Sequence, residues 1–273
     1  MIPSGDIIMQ LDDAEIVFHE PLKGGYRLIK FKTPEIAAAS KPGQYVQLRI
    51  PTLEATALRR PFSICGAEDE ILTILYKQVG RGTFAMGDLQ VGQKVNILGP
   101  LGDGAFPLCD SVTIPLLIGG GFGVAPLLFL AKQLPQKGVL FVGGRTAEDI
   151  LITEEFEKLG WEVQLCTNDG SIGTKGFVTA ALDAWLESHP DTKAEMYACG
   201  PEPMLKAIDE RAARFGRVAW LSLDHRMACG VGACLGCIQK VRLTDEAGNV
   251  VEKTLRVCKD GPIFKSGTIV WEA

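Results

Sequence analysis

Four cysteines constrain this chain more than any other feature. Cys229, Cys234, Cys237 and Cys258 follow the spacing C-x4-C-x2-C-x20-C, and the first three lie in the stretch Met227-Ala228-Cys229-Gly230-Val231-Gly232-Ala233-Cys234-Leu235-Gly236-Cys237. Thiolates crowded on a loop of small residues can wrap a compact inorganic core, and the glycines let backbone N–H groups turn toward its sulfurs. The x4-then-x2 step is the plant-type spacing for a 2Fe–2S cluster. A structural zinc site is the alternative reading. Zinc ribbons carry two C-x2-C pairs or mix cysteine with histidine, and neither pattern occurs here; of His19, His189 and His225, only His225 lies near the loop. The fourth ligand is distant, so the chain has to return to the loop. Segments 238–243 and 250–257 around the turn Glu246-Ala247-Gly248-Asn249 read as the hairpin that does this. Cys65, Cys109, Cys166 and Cys199 are scattered, and read as small buried hydrophobes.

A one-electron carrier on a chain of 273 residues implies further machinery on the same chain. The length suits about two domains plus a small appendage, and 47% hydrophobic residues supply a substantial core. Net charge is −5 with both signs interspersed, which argues against nucleic acid as the main partner. No apolar run approaches the ~20 residues that span a bilayer. Asp6, Asp12, Asp13, Glu15 and Glu20 are foreign to a secretory signal. Free cluster thiols suit a reducing compartment, so a cytoplasmic setting without membrane contact is expected.

Three regimes follow one another. Segments 14–19, 26–33, 44–50, 60–65, 71–78 and 94–98 carry β-branched or aromatic residues and are broken by Gly24-Gly25, Lys41-Pro42-Gly43 and Gly99-Pro100. With one short helical candidate at 83–89, they predict an antiparallel β-barrel over residues 1–110. Between 111 and 223 strand and helix alternate: strands at 112–118, 139–142, 162–166, 195–199 and 218–223, and helices at 124–134, 154–159, 177–187 and 203–215. That alternation predicts an α/β parallel-sheet nucleotide-binding domain. Residues 224–273 are then a small C-terminal cluster domain, with its last strand expected at 268–272.

Each of the first two regimes offers a nucleotide site. In Arg59-Arg60-Pro61-Phe62-Ser63 the strand period puts Arg60 and Phe62 on one face. There a guanidinium can grip a pyrophosphate while a ring packs on a flat heterocycle. Leu75-Tyr76-Lys77 offers a second ring and a second cation, and Gly80-Arg81-Gly82-Thr83 opens a short helix whose N–H groups can meet phosphate. Each motif is weak alone, since strands routinely carry surface cations; together they point to a flavin. In the second domain Gly119-Gly120-Gly121-Phe122-Gly123-Val124-Ala125-Pro126 follows the first strand and opens the first helix. It does not spell G-x-G-x-x-G, and tight turns alone would need some of these glycines. Gly143-Gly144-Arg145, Cys166-Thr167-Asn168-Asp169-Gly170 and Cys199-Gly200-Pro201 end further strands on the same carboxyl edge, where open α/β sheets bind ligands.

Arg60-Pro61-Phe62-Ser63, the loop Gly119–Pro126 and Cys199-Gly200-Pro201 resemble the ferredoxin–NADP reductase superfamily. With the cysteine segment appended, essentially the whole chain resembles the electron-transfer subunit of bacterial NAD-linked dihydroorotate dehydrogenase. The resemblance implies FAD held by Arg60, Pro61, Phe62, Ser63, Leu75, Tyr76, Lys77, Gly82 and Thr83. It implies a 2Fe–2S cluster on Cys229, Cys234, Cys237 and Cys258, and NAD as electron acceptor beside Gly121, Cys199 and Gly200. Phe62 stands where the superfamily often has tyrosine, so ring packing survives and a phenolic hydrogen bond is lost. Arg145 could meet a 2′-phosphate, so NAD over NADP rests on the resemblance. The implied partner is a separate FMN-containing catalytic subunit that oxidises dihydroorotate to orotate in pyrimidine biosynthesis, two copies of each subunit forming a heterotetramer. No catalytic acid–base residue for dihydroorotate is expected on this chain. The alternative is a subunit of an NADPH-dependent ferredoxin or sulfide oxidoreductase, where relatives can replace a cluster cysteine with an acid. Met227, Val231 and Leu235 read equally as a partner surface or as packing under the loop.

Overall fold

The computed structural model describes residues 9–51 and 58–272. Seven antiparallel strands form the first sheet: β1 (Gln10–Pro21), β2 (Tyr26–Lys32), β3 (Tyr45–Arg49), β4 (Arg60–Ser63), β5 (Gly66–Glu68), β6 (Ile71–Lys77) and β7 (Lys94–Leu101), in the spatial order β4-β3-β7-β1-β2-β6-β5. The sheet curls around Ile16, Ile29, Phe31, Leu48, Ile74 and Ile97, all fully buried. Their alternation with polar neighbours is what drives the curl, because one face of each strand must leave water. No ladder joins β4 to β5 among the described residues, so the sheet is a half-barrel. Phe62 of β4 meets Tyr76 of β6 edge-on at 5.9 Å across the curl. Three-residue β5 and the helix α1 (Pro34–Ala39) are too short to carry a period and were not foreseen. Helix α2 (Arg81–Gly87) starts two residues before the expected 83, straight after Gly80.

The second sheet contains β8 (Ile114–Gly120), β9 (Val139–Gly144), β10 (Glu162–Thr167), β11 (Thr174–Lys175), β12 (Ala194–Cys199) and β13 (Val218–Ser222), all parallel to their neighbours. Helices α3 (Val124–Gln133) and α4 (Thr153–Lys158) cover one face, and α5 (Val178–Ser188) and α6 (Glu202–Arg214) the other. After the hairpin of β14 (Ile238–Thr244) and β15 (Val250–Arg256) and the turn of helix α7 (Val257–Asp260), the chain returns as β16 (Ile263–Lys265). The complete order is β11-β10-β9-β8-β12-β13-β16. β16 runs antiparallel to β13, so the sheet is mixed rather than wholly parallel.

The last strand is therefore displaced from the expected 268–272. Ile263 and Phe264 give β16 two buried side chains against the sheet. Residues 268–270 instead lie along the hairpin, where Arg242 N–H donates to the Thr268 carbonyl at 2.7 Å and Val270 N–H to that of Lys240 at 3.0 Å. The alternation of Ile269 with Trp271 imitates a strand, yet only a single bridge, Val241 to Ile269, forms. This tail is pinned from α6 by the buried Asp209, which accepts from Gly267 N–H at 2.6 Å and from Trp271 Nε1–H at 2.7 Å. Asp209→Ala leaves two donors without a partner and should lower stability by about 2 kcal/mol, read as an earlier urea midpoint.

Candidate cluster and nucleotide sites

The cysteine loop owes its shape to backbone conformation. Gly230 and Gly232 have φ of 68° and 80°, and Leu235, not a glycine, is held at 58°. Such a value is costly for leucine, and the payoff is the direction of the N–H groups. Val231 and Cys234 N–H donate to Cys229 Sγ at 3.5 and 3.4 Å, Gly236 N–H to Cys234 Sγ at 3.4 Å, and Cys258 N–H to Cys237 Sγ at 3.4 Å. Burial disfavours the Cys229 thiolate, but the Val231 and Cys234 N–H groups outweigh it and bring the thiol down to about 6. Burial and the neighbouring Cys237 push Cys258 up to about 12.

Cys234 N–H bonds Cys229 Sγ and Cys258 N–H bonds Cys237 Sγ, so backbone hydrogen bonds group the four thiols into two pairs. Backbone N–H groups aimed at the sulfur of both pairs suit the negatively charged sulfurs of a two-iron core. Cys237 and Cys258 are buried, Cys229 is half-buried and Cys234 exposed, so one pair faces inward and the other outward.

The inner wall of the loop comes from the first sheet. Tyr45 of β3 directs its hydroxyl at the carbonyls of Gly230, 2.7 Å away, and Cys258, 2.8 Å away. Burial first, then the nearby thiols of Cys258, Cys237 and Cys229, raise its pKa, so the phenol stays protonated and donates. Two residues on, Gln47 presses against Gly230 so closely that a Cβ there would stand 2.1 Å from Gln47 Nε2. Neither residue was singled out in the sequence. A Tyr-x-Gln step inside a strand carries no distinguishing signal when the partners of its tyrosine lie 185 and 213 residues away.

On the adjacent strand, Ser63 stands opposite Tyr45 and Pro61 opposite Gln47, while Phe62 and Arg60 stand opposite Val46 and Leu48. Arg60 lies along α2, and a Cβ on Gly82 would meet its Nε at 2.9 Å. Thr83 Oγ1 accepts from Val79 and Gly80 N–H at 2.9 and 3.1 Å and so shapes that turn. The expected second ring and second cation are engaged elsewhere. Tyr76 is buried and bonded to His19 Nε2 at 2.9 Å, and His19 also receives Arg27 Nε–H at 3.1 Å. Lys77 Nζ is 2.9 Å from Asp149 Oδ1, which also accepts from the Tyr26 hydroxyl at 2.9 Å. Leu75 joins the core between the sheets.

In the second sheet, strand order reverses between β8 and β12, the switch point where α/β sheets bind nucleotides. The loop after β8, with Gly121, and the loop after β12, with Cys199 and Gly200, meet there. Their backbones touch: a Cβ on Gly123 would lie 2.1 Å from the Cys199 carbonyl oxygen. The Cys199 thiol is buried and pushed up to about 12 by desolvation, so it stays neutral. The Lys77–Asp149 pair ties this edge to the half-barrel beside Gly121, whose added Cβ would stand 3.5 Å from the Tyr26 hydroxyl.

A half-barrel, an open α/β sheet and a four-cysteine loop against both define a nucleotide-dependent electron-transfer reductase. Residues 224–270 match the family described as the iron-sulfur cluster binding domain of dihydroorotate dehydrogenase B, and residues 117–210 match the oxidoreductase NAD-binding domain. The dihydroorotate dehydrogenase B (NAD(+)) electron transfer subunit of Geobacillus sp. (strain WCH70) is 36% identical over 96% of this chain and 100% of its own. That of Streptococcus mutans is 38% identical over 97% and 96%. A solved NADH-dependent reduced ferredoxin-NADP oxidoreductase superposes with a TM-score of 0.80, at 27% identity, over 95% of this chain and 90% of its own. The chain belongs to the family of dihydroorotate dehydrogenase B (NAD(+)) electron transfer subunits.

Burial opposes both charges of the Lys77–Asp149 pair, and their mutual hydrogen bond overcomes it, lowering Asp149 and raising Lys77. The pair therefore stabilises the fold fully above the ordinary carboxylate value of 3.8 and below the ordinary lysine value of 10.5. Its contribution is lost as pH falls through the lowered Asp149 value or rises through the raised Lys77 value. Asp149→Asn should cost about 1 kcal/mol at neutral pH, an unfolding midpoint lower by ~3 °C. The difference from the parent should shrink toward pH 2, as thermal scans across pH would read.

Proposed function

We propose that this chain takes electrons from an FMN-bearing dihydroorotate dehydrogenase catalytic subunit and passes them through a 2Fe–2S cluster and FAD to NAD+, in pyrimidine biosynthesis. The observation that carries this reading is the gathering of Cys229, Cys234, Cys237 and Cys258 in two N–H-bonded pairs against β3, on a chain that matches such subunits along their whole length. The bound groups supply the conversion between one-electron and two-electron transfer. The chain's own residues hold and insulate them.

In this proposal Arg60 neutralises the FAD pyrophosphate beside the turn of Gly82 and Thr83, and Pro61, Phe62 and Ser63 support the flavin ring. Leu75, Tyr76 and Lys77 contribute backbone, because their side chains point into the core or to Asp149. Gly121, Cys199 and Gly200 receive the nicotinamide nucleotide at the switch point, the buried Cys199 as a neutral thiol. The curl of the half-barrel brings Phe62 of β4 edge-on to Tyr76 of β6. The domains are 1–110 for FAD, 111–223 for NAD and 224–273 for the cluster, although β16 of the last segment is a strand of the second sheet. No residue of this chain performs acid–base chemistry on dihydroorotate. The assembly is a heterotetramer with two copies of each subunit, in the cytoplasm, where free cluster thiols stay reduced. No helix among the described residues is long and apolar enough to cross a membrane.

The outward pair of cysteines is flanked by exposed apolar side chains, Leu235 at 59% and Ile238 at 51% exposure, with Val231 at 37%. Met227 instead packs against the core. We assign Val231, Leu235 and Ile238 to the surface that meets the catalytic subunit. The likeness in shape to the ferredoxin-NADP oxidoreductase favours one second reading, a subunit passing electrons between ferredoxin and a nicotinamide nucleotide.

Dihydroorotate-dependent NAD+ reduction, assayed with the catalytic subunit and with this chain separately and together, discriminates the two. NADH should form only when both are present; an FAD- and iron-containing complex indifferent to dihydroorotate would move the function to the second reading. Leu235→Glu should weaken subunit association about tenfold, ~1.4 kcal/mol, and leave FAD content unchanged. Unchanged affinity would remove Leu235 from the interface.

A further inference from the structure

Gln47 is fully buried in the centre of the structure, and neither its Nε2 nor its Oε1 has a hydrogen-bond partner. A primary amide left so is expensive, because it has lost water without gaining a protein partner. The strand places it firmly: β3 is paired on both sides, with Pro61 of β4 and Leu98 of β7 directly opposite Gln47. The side chain points the same way as Tyr45, which holds the Gly230 and Cys258 carbonyls, and its amide lies against Gly230 itself. Nothing in the packing of the half-barrel requires an amide here. Val46 and Leu48, on the opposite face of the strand, supply the apolar core.

We propose that Gln47 is a positioning residue for electron transfer, its amide N–H donating to sulfur at the Cys229 end of the cluster and setting the cluster's reduction potential. The proposal rests on the cluster reading above. Val231 and Cys234 N–H already bond Cys229 Sγ from within the loop; Gln47 adds a donor from outside it, on the side of the loop that faces the half-barrel. Taking up one electron increases the negative charge on the cluster's sulfurs. An N–H donor therefore stabilises the reduced form more than the oxidised form, and raises the potential. A rigid strand is a suitable carrier, because the donor keeps its place whichever redox state the loop holds. Tyr45 makes a separate contribution from the same face by fixing two backbone carbonyls with its hydroxyl.

The experiment uses the full chain loaded with iron, sulfide and FAD, in three forms: parent, Gln47→Leu and Gln47→Met. Each is titrated with dithionite, with the reduced cluster followed by electron paramagnetic resonance and the flavin by absorbance. Both variants lose the N–H donor, and the methionine keeps the length of the side chain should the leucine fail to fold. The cluster's one-electron reduction equilibrium should shift about tenfold toward the oxidised form in each, a potential lower by ~59 mV, with the flavin potential unmoved. In the cluster-free chain Gln47→Leu should raise the unfolding midpoint, since it removes an unpaired buried amide; a purely structural glutamine would lower it. Parental cluster potentials in both variants overturn the proposal, as does a shift confined to the flavin. A parent with no iron–sulfur resonance would instead overturn the cluster reading.

Discussion

The hydroxyl of Tyr45 is where the three parts of this chain meet. It belongs to the first sheet, yet it holds the carbonyl after the first cluster cysteine and the carbonyl of the last, 185 and 213 residues further on. A loop of glycines and thiols has little apolar surface with which to order itself, so its entropy must be offset by contacts from outside. Tyr45 provides them while keeping its own ring buried with Leu101, Cys237, Cys258 and the strands of the second sheet. The phenol can serve because desolvation and the surrounding thiols keep its proton on.

Around that point the two sheets are joined by charge as well as by apolar burial. Tyr26, Cys65 and Leu75 of the half-barrel share a core with α3 and β8 of the second sheet. The Lys77–Asp149 pair adds a directional bond beside the glycine loop at the switch point. Burial penalises each charge separately, so the pair holds only while both partners are in place. The proposed flavin and nicotinamide sites thus lie on either side of a fixed junction, with the cluster loop against the same β3 strand. Cys237 and Cys258 are buried with Tyr45, while Cys234 is exposed on the loop that carries the exposed Val231 and Leu235.

The relative placement of residues also reassigns several side chains. Phe62, Tyr76 and Lys77 all read as a flavin platform when taken as strands in isolation. In the folded chain only Phe62 keeps a partly open ring, because Tyr76 turns inward to His19 and Lys77 crosses to Asp149. A strand period of two says which residues share a face but not whether that face meets solvent, a ligand or another domain.

Cysteine spacing is local and chemically demanding, so C-x4-C-x2-C together with a hairpin to Cys258 is enough to predict an iron–sulfur domain, which the family match over residues 224–270 bears out. The alternation of apolar strands and helices after residue 110 was equally legible, because crossover helices impose a regular period. Positions settled by long-range geometry were not. β5 and α1 are too short to show a period, and β16 took the sheet edge in place of 268–272 because Ile263 and Phe264 reach β13 first. The half-barrel's open edge, the Asp149 junction and the pairing of Tyr45 and Gln47 with Gly230 depend on which surfaces meet. The sequence by itself determined what this chain can bind; the tertiary structure decided which buried polar groups surround it, since hydrogen bonds over 185 residues leave no local pattern.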